Sequence, residues 1–285
     1  MEGAGATIAC ATGGDGPPLL MLHGYPQTHA MWHRVASELA RSHTVVVADL
    51  RGYGDSSKPT SDDTHAAYSK RAMAADMLAV MRSLGHARFD LVGHDRGGRV
   101  AHRLAADHPD AVRKWAVLDI APTWAMYTKT DLAFAKAYYH WFFLIQPDGL
   151  PERMIGADPD RYLLTKIGGW GSKGRAFFDP RAVDEYLRCF RDPATIHATC
   201  EDYRASASID LEHDAADRAA GRRLRAPLLA LWGERNAVTH RLFDTLAEWR
   251  EVAEDVHGGR MPCGHYLAEE APDATIAALR AFLDC

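Results

Sequence analysis

Short apolar runs recur along the chain, and helix-like patterns separate them. Pro18-Leu19-Leu20-Met21-Leu22 and Thr44-Val45-Val46-Val47-Ala48 read as buried strands, ending at His23-Gly24 and Asp49. After Tyr68, Met73, Met77, Val80, Met81 and Leu84 fall on one helical face, and Gly85 closes the helix. Phe89-Asp90-Leu91-Val92 and Trp115-Ala116-Val117-Leu118 are two further strands, the second ending at Asp119. From Trp124 to Gly221 the pattern changes: aromatics and Pro breaks accompany helix-like segments, and no convincing parallel strand occurs. Alternation resumes at Pro227-Leu228-Leu229-Ala230-Leu231-Trp232, followed by a helix over 240–250. A short run over 252–256, the loop Met261-Pro262-Cys263-Gly264-His265 and a last helix over 272–282 complete it. Strands alternating with helices predict an α/β class with a mostly parallel, doubly wound sheet, interrupted by a helical insertion. The expected division is residues 1–123 and 223–285 for the sheet unit and 124–222 for a helical cap.

One turn carries the chemistry. Gly93-His94-Asp95-Arg96-Gly97 fits Gly-x-nucleophile-x-Gly, the tight strand-to-helix turn called a nucleophile elbow. Its central residue is aspartate. A carboxylate attacking an acyl carbon would give a poor mixed anhydride, whereas attack on a saturated carbon gives an ester that water can cleave. An Asp95 elbow therefore points to displacement of a halide or opening of an epoxide. The bland alternative, an Asp capping the next helix, does not explain the flanking glycines.

Bulk properties narrow the class. A chain of 285 residues with 47% apolar and 25% charged residues is ordinary for a globular protein. A net charge of −5 gives no footprint for nucleic acid, and Arg222-Arg223-Leu224-Arg225 is too short to change that. No apolar run approaches the ~20 residues that span a bilayer, and the N-terminus does not read as a signal peptide. The five scattered cysteines suit free thiols in a reducing cytoplasm. No metal-ligand spacing occurs, and Gly13-Gly14-Asp15-Gly16 precedes a strand, so it reads as a turn and not a phosphate loop. No cofactor is expected.

The chain resembles the α/β-hydrolase fold enzymes, and among them the fluoroacetate (haloacetate) dehalogenases. The likeness runs through His23-Gly24-Tyr25-Pro26-Gln27-Thr28, Asp49-Leu50-Arg51-Gly52-Tyr53-Gly54-Asp55-Ser56, Gly93 to Arg99, His140-Trp141-Phe142-Phe143, Glu201-Asp202-Tyr203-Arg204 and Gly264-His265-Tyr266. The N-terminus is short, which suggests loss of the fold's first antiparallel strand. Asp95 is then the nucleophile and His265 the base that activates water. The usual position of the triad acid, after Leu231-Trp232-Gly233-Glu234-Arg235, holds Asn236. Asparagine cannot stabilise an imidazolium as a carboxylate does. The resemblance implies Asp119 instead, with Glu234 as the rival. Backbone N–H groups of Tyr25 and Arg96 form the expected oxyanion hole.

Arg96 and Arg99 flank the nucleophile and suit a negatively charged substrate, since guanidinium forks bind carboxylates. The resemblance raises His140, Trp141 and Tyr203 from packed aromatics to halide donors, and makes Trp170 a pocket wall. The expected reaction converts a small 2-haloacid, best represented by fluoroacetate, to glycolate and halide. A homodimer is implied by resemblance only. Two rivals stand beside it. An epoxide hydrolase would use Tyr203 with Tyr138 or Tyr139 to protonate the epoxide oxygen, and a hydrolase-fold receptor would bind a ligand without turnover.

Overall fold

The computed structural model describes residues 1–284. Seven strands form one sheet: β1 (Cys10–Gly13), β2 (Pro18–Leu22), β3 (Thr44–Ala48), β4 (Phe89–His94), β5 (Val112–Leu118), β6 (Leu228–Gly233) and β7 (Val256–Met261), in the order β1-β3-β2-β4-β5-β6-β7. β1 pairs antiparallel with β3 and every other pairing is parallel. The inner strands are apolar and buried because helices cover both faces, so Leu19 to Leu22 and Trp115 to Leu118 are all fully buried. The order reverses between β2 and β4, where Leu22 pairs with Gly93. At such a switch point the loops leaving two neighbouring strands splay apart, and a crevice opens at their carboxyl ends. His23-Gly24-Tyr25 and Asp95 leave β2 and β4 there.

The helices that position the site are α1 (Lys70–Ser83), α2 (Arg96–Asp107), α3 (Thr123–Thr128), α4 (His140–Phe143), α5 (Pro159–Ile167), α6 (Pro193–Ser206), α7 (Ile209–Ala219) and α8 (Leu267–Glu270). All helices from α3 to α7 lie between β5 and β6 in the chain, with no strand among them. α5 and α6 start by the same rule: Asp158 accepts from Arg161 N and Asp192 from Ala194 N, each followed by a proline at the first helical position. Ion pairs tie this insertion to α2, where Arg103 meets Asp214 and Asp217 at 2.7 Å each.

Three expectations are corrected. The short N-terminus still supplies an antiparallel edge strand, β1. The last strand is Val256–Met261, beyond the apolar run at 252–256. It hides in the sequence because an edge strand mostly exposed to water carries His257, Gly258, Gly259 and Arg260 where an inner strand carries aliphatics. The helix expected over 240–250 is confined to Thr245–Arg250, with Asp244 accepting from Ala247 N.

Candidate active site

Asp95 sits between β4 and α2 at φ 46°, ψ −112°, a conformation L-residues seldom adopt. Close packing enforces it. A Cβ on Gly93 would lie 2.4 Å from Gly97 O, one on Gly97 2.4 Å from His23 O, and one on Gly24 2.5 Å from Asp95 Cβ. Holding a non-glycine residue there costs about 1–3 kcal/mol, offset by the surrounding packing. The turn thereby lifts the carboxylate into the crevice, where Oδ1 accepts from Tyr25 N–H at 2.9 Å. Burial alone would raise the Asp95 pKa, but the charges of His265, Arg99, His94 and Arg96 outweigh it and hold the carboxyl below its ordinary value.

His265 follows β7 and receives Asp119, which ends β5: Nδ1 lies 2.5 Å from Asp119 Oδ2. Asp119 is saturated. Its Oδ1 accepts from Gly233 N at 2.9 Å and Thr239 Oγ1 at 2.7 Å, and its Oδ2 also accepts from Asn236 Nδ2 at 2.5 Å. Burial would lower the His265 pKa, but the hydrogen bond and charge of Asp119, with Asp95, leave it raised above its ordinary value. Glu234, the rival, is exposed and makes no such contact. In the sequence Asn236 stands where an acid is expected. In the structure its amide instead holds the acid, donating also to Tyr138 OH at 3.0 Å. Its place in the turn after β6 was the available signal, but its partner lies 117 residues away.

The opposite wall is built by α2 and the helical insertion. Arg96 Nε and Nη2 grip Asp202 Oδ2 and Oδ1 at 2.9 and 2.7 Å, and Nη2 also meets Ser206 Oγ. Lys70 and Tyr53 bind the same carboxylate, the tyrosine at 2.6 Å. Burial would raise the Asp202 pKa, but Arg96 and Lys70 win and hold it far below the usual range. The Arg96 fork is thus already occupied, which narrows the expected bidentate clamp to Nη1. That atom is buried without a partner. In the sequence Asp202 is distinguished only as part of the run Glu201-Asp202-Tyr203-Arg204.

Arg99 Nη1 donates to Thr123 Oγ1 at 2.9 Å and Ala121 O at 3.2 Å, while Nε is buried and unpartnered. His140 Nδ1 and the Tyr203 hydroxyl are likewise buried and unpartnered. These groups adjoin one another. Arg96 lies 4.1 Å from the Tyr203 ring centre and Arg99 4.7 Å from that of Trp141. Tyr203 is 5.7 Å from His140, 6.2 Å from Trp141 and 5.3 Å from Tyr25, ring to ring. Trp170 closes the group 4.9 Å from His140 and 5.2 Å from His265. Buried polar groups are ordinarily satisfied, yet these four lie unpartnered close together, and Tyr127 OH, beside Trp141, is unpartnered as well. Every expected site residue is therefore found around the one crevice.

The model of the α/β hydrolase fold matches residues 17–272. The chain belongs to the α/β-hydrolase family. A fluoroacetate dehalogenase from Burkholderia sp. is 50% identical over 97% of this chain and 90% of its own length. A soluble epoxide hydrolase from Corynebacterium sp. strain C12 is 34% identical over 95% and 92%. The crystal structure of a Nostoc sp. PCC 7120 protein, described as an α/β hydrolase, has 56% identity and a TM-score of 0.97, covering 99% of this chain and 96% of that one. The α/β hydrolase is thus related to enzymes of both reaction classes that an aspartate elbow allows. Among the described residues, no helix is long and apolar enough to cross a membrane, and no group of His, Cys, Asp or Glu could hold a metal ion.

Proposed function

We propose that this hydrolase removes halide from short 2-haloacids, with fluoroacetate the best candidate, and that the helical insertion is its substrate cap. The observation that carries the reading is the set of unpartnered buried groups, Arg96 Nη1, Arg99 Nε, His140 Nδ1 and Tyr203 OH, gathered across from an ionised Asp95. An anionic substrate facing an anionic nucleophile needs cations to offset the repulsion, and the two arginines supply them.

In the first step an Asp95 oxygen attacks the α-carbon from the side opposite the halide. The C–O bond forms as the C–halogen bond breaks, and its electron pair leaves on the halide. Fluoride departs only if donors meet its growing charge. The Tyr203 hydroxyl and Trp141 indole N–H are suited to this, as is His140, whose pKa burial pushes well below the ordinary value, keeping the ring neutral. In the second step His265 takes a proton from water, and the hydroxide attacks Cγ of the Asp95 ester. The charge that develops on the carbonyl oxygen falls to the backbone N–H groups of Tyr25 and Arg96. As the Cγ–O bond to the product breaks, the His265 imidazolium returns its proton to the leaving oxygen, which releases glycolate, and the Asp95 carboxyl ionises to restore the nucleophile. Asp119 holds the imidazole and balances the imidazolium.

The epoxide reading is the weaker one. It needs a second tyrosine beside Tyr203, but Tyr139 is 50% exposed and the Tyr138 hydroxyl is held on the acid side by Asn236. The deciding experiment incubates purified protein with fluoroacetate, chloroacetate and a neutral epoxide. Sustained release of fluoride and glycolate in equal amounts supports the proposal. Diol formation with no halide release refutes it, and binding without any product favours the receptor.

A further inference from the structure

Lys166, on α5, is only 5% exposed and makes no hydrogen bond or ion pair through its ammonium among the described residues. An ammonium with no anion beside it, at the tip of a side chain this deeply buried, is costly. Three rings surround it: Nζ lies 3.8 Å from the centre of Tyr139, 5.3 Å from Tyr162 and 5.9 Å from Trp170. Cation–π attraction offsets part of the desolvation but leaves the charge without an anion.

Its place in the fold gives that charge a use. Tyr139 is half exposed, whereas the next residue, His140, is buried. Trp170 touches Lys166 on one side and His140 and His265 on the other. The ammonium therefore stands between solvent at Tyr139 and the orphaned donors of the site. The titratable groups facing it are Tyr162 from its own helix and Tyr139 and His140 from α4 and the residue before it. On the remaining side Tyr266 donates its hydroxyl to the Lys166 carbonyl at 3.5 Å. None is a carboxylate.

We propose that Lys166 is the outer cation of this site, a specificity-determining residue that captures the substrate carboxylate between Tyr139 and Trp170 and passes it inward to Arg96 and Arg99. This rests on the haloacid reading. It predicts a preference for anions set before the substrate reaches Asp95. Burial lowers the Lys166 pKa to about 8, so the captured fraction should fall as pH rises through that value.

The test compares wild type with Lys166→Met, which keeps the bulk, and Lys166→Arg, which keeps the charge. For chloroacetate, Lys166→Met should raise KM about tenfold, within the range expected for electrostatic capture, and change kcat less than about twofold. Its kcat/KM should lose most of its dependence on ionic strength and the alkaline fall near pH 8. Lys166→Arg should restore KM at neutral pH. Binding of acetate and of neutral acetamide, measured by calorimetry, is the turnover-independent arm: acetate should weaken about tenfold in Lys166→Met and acetamide should not change. Unchanged acetate affinity, or equal losses for acetate and acetamide, overturns the proposal by making Lys166 a packing residue. A wild type that releases no halide refutes the haloacid reading, and the acetate arm still decides Lys166 on its own.

Discussion

The two walls of the crevice are built in opposite ways. On the sheet side every polar atom of Asp119 is engaged, by His265, Asn236, Thr239 and Gly233. On the insertion side Arg96, Arg99, His140 and Tyr203 each keep a buried polar atom with no partner. In the first arrangement the Asp119 carboxylate has no oxygen left to bind with and suits a device that must hold one proton path steady, although His94 Nδ1 beside His265 is also without a partner. The second is satisfied only when something polar arrives. On the proposed reading the contrast separates machinery from recognition. On the proposed reading it also accounts for how the strained Asp95, between the two walls, could be ionised and yet meet an anionic substrate.

The sharpest way to break this contrast is to remove the group both walls serve. Asp95→Asn should reduce turnover below about 1% with the fold intact; near-normal halide release would move the nucleophile elsewhere. On the sheet side, His265→Asn should stop only the second step. One equivalent of halide would appear, and intact-mass analysis would show a carboxymethyl group on Asp95; an unmodified protein after the burst would contradict the two-step scheme. On the insertion side, Tyr203→Phe should slow halide departure by about 10²-fold, more for fluoride than chloride, without building up ester. If both variants trapped ester alike, the walls would not divide the steps. Asn236→Ala should cost less, about tenfold in ester hydrolysis, because it removes one donor to a buried carboxylate; an effect as large as that of Asp119→Asn would make the amide a partner of equal weight.

The smallest effect concerns pH. Ester hydrolysis requires neutral His265, whose pKa is raised, so turnover should fall as pH drops through a value above 6.5 while the first step continues. Ester should accumulate on the acid side, and stopped-flow halide bursts would detect it. Asp119→Asn should shift that acid limb downwards.

Much of this was legible in the chain. Inner strands announced themselves as aliphatic runs, and the elbow glycines named Asp95, because both signals are local. Asp119 was reachable only through resemblance, since an aspartate ending a strand has many uses. The rest is encoded at long range. Asn236 acts on a residue 117 positions away, and Asp202 on one 106 positions away. In sequence one looks like an absent acid, and the other stands out only as part of the run Glu201-Asp202-Tyr203-Arg204. Which arginine atoms remain free was likewise unreadable, because it depends on the partner each fork has already found.

Asp202 and Tyr203 are consecutive on α6; on the proposed reading one fixes the Arg96 cation that meets the substrate's carboxylate and the other meets its halogen. Neighbours on a helix are about 1.5 Å apart along the axis and turned by about 100°. Both ends of the ligand are therefore gauged from a single rigid step, as by the jaws of a calliper. Lengthening the substrate by one carbon cannot be met by adjusting one contact alone, because moving α6 shifts both jaws together. A variant that accepts longer acids should then arise more readily from substitutions elsewhere in the insertion, at Trp141 on α4 or at Trp170 in the turn after α5, than from any displacement of α6.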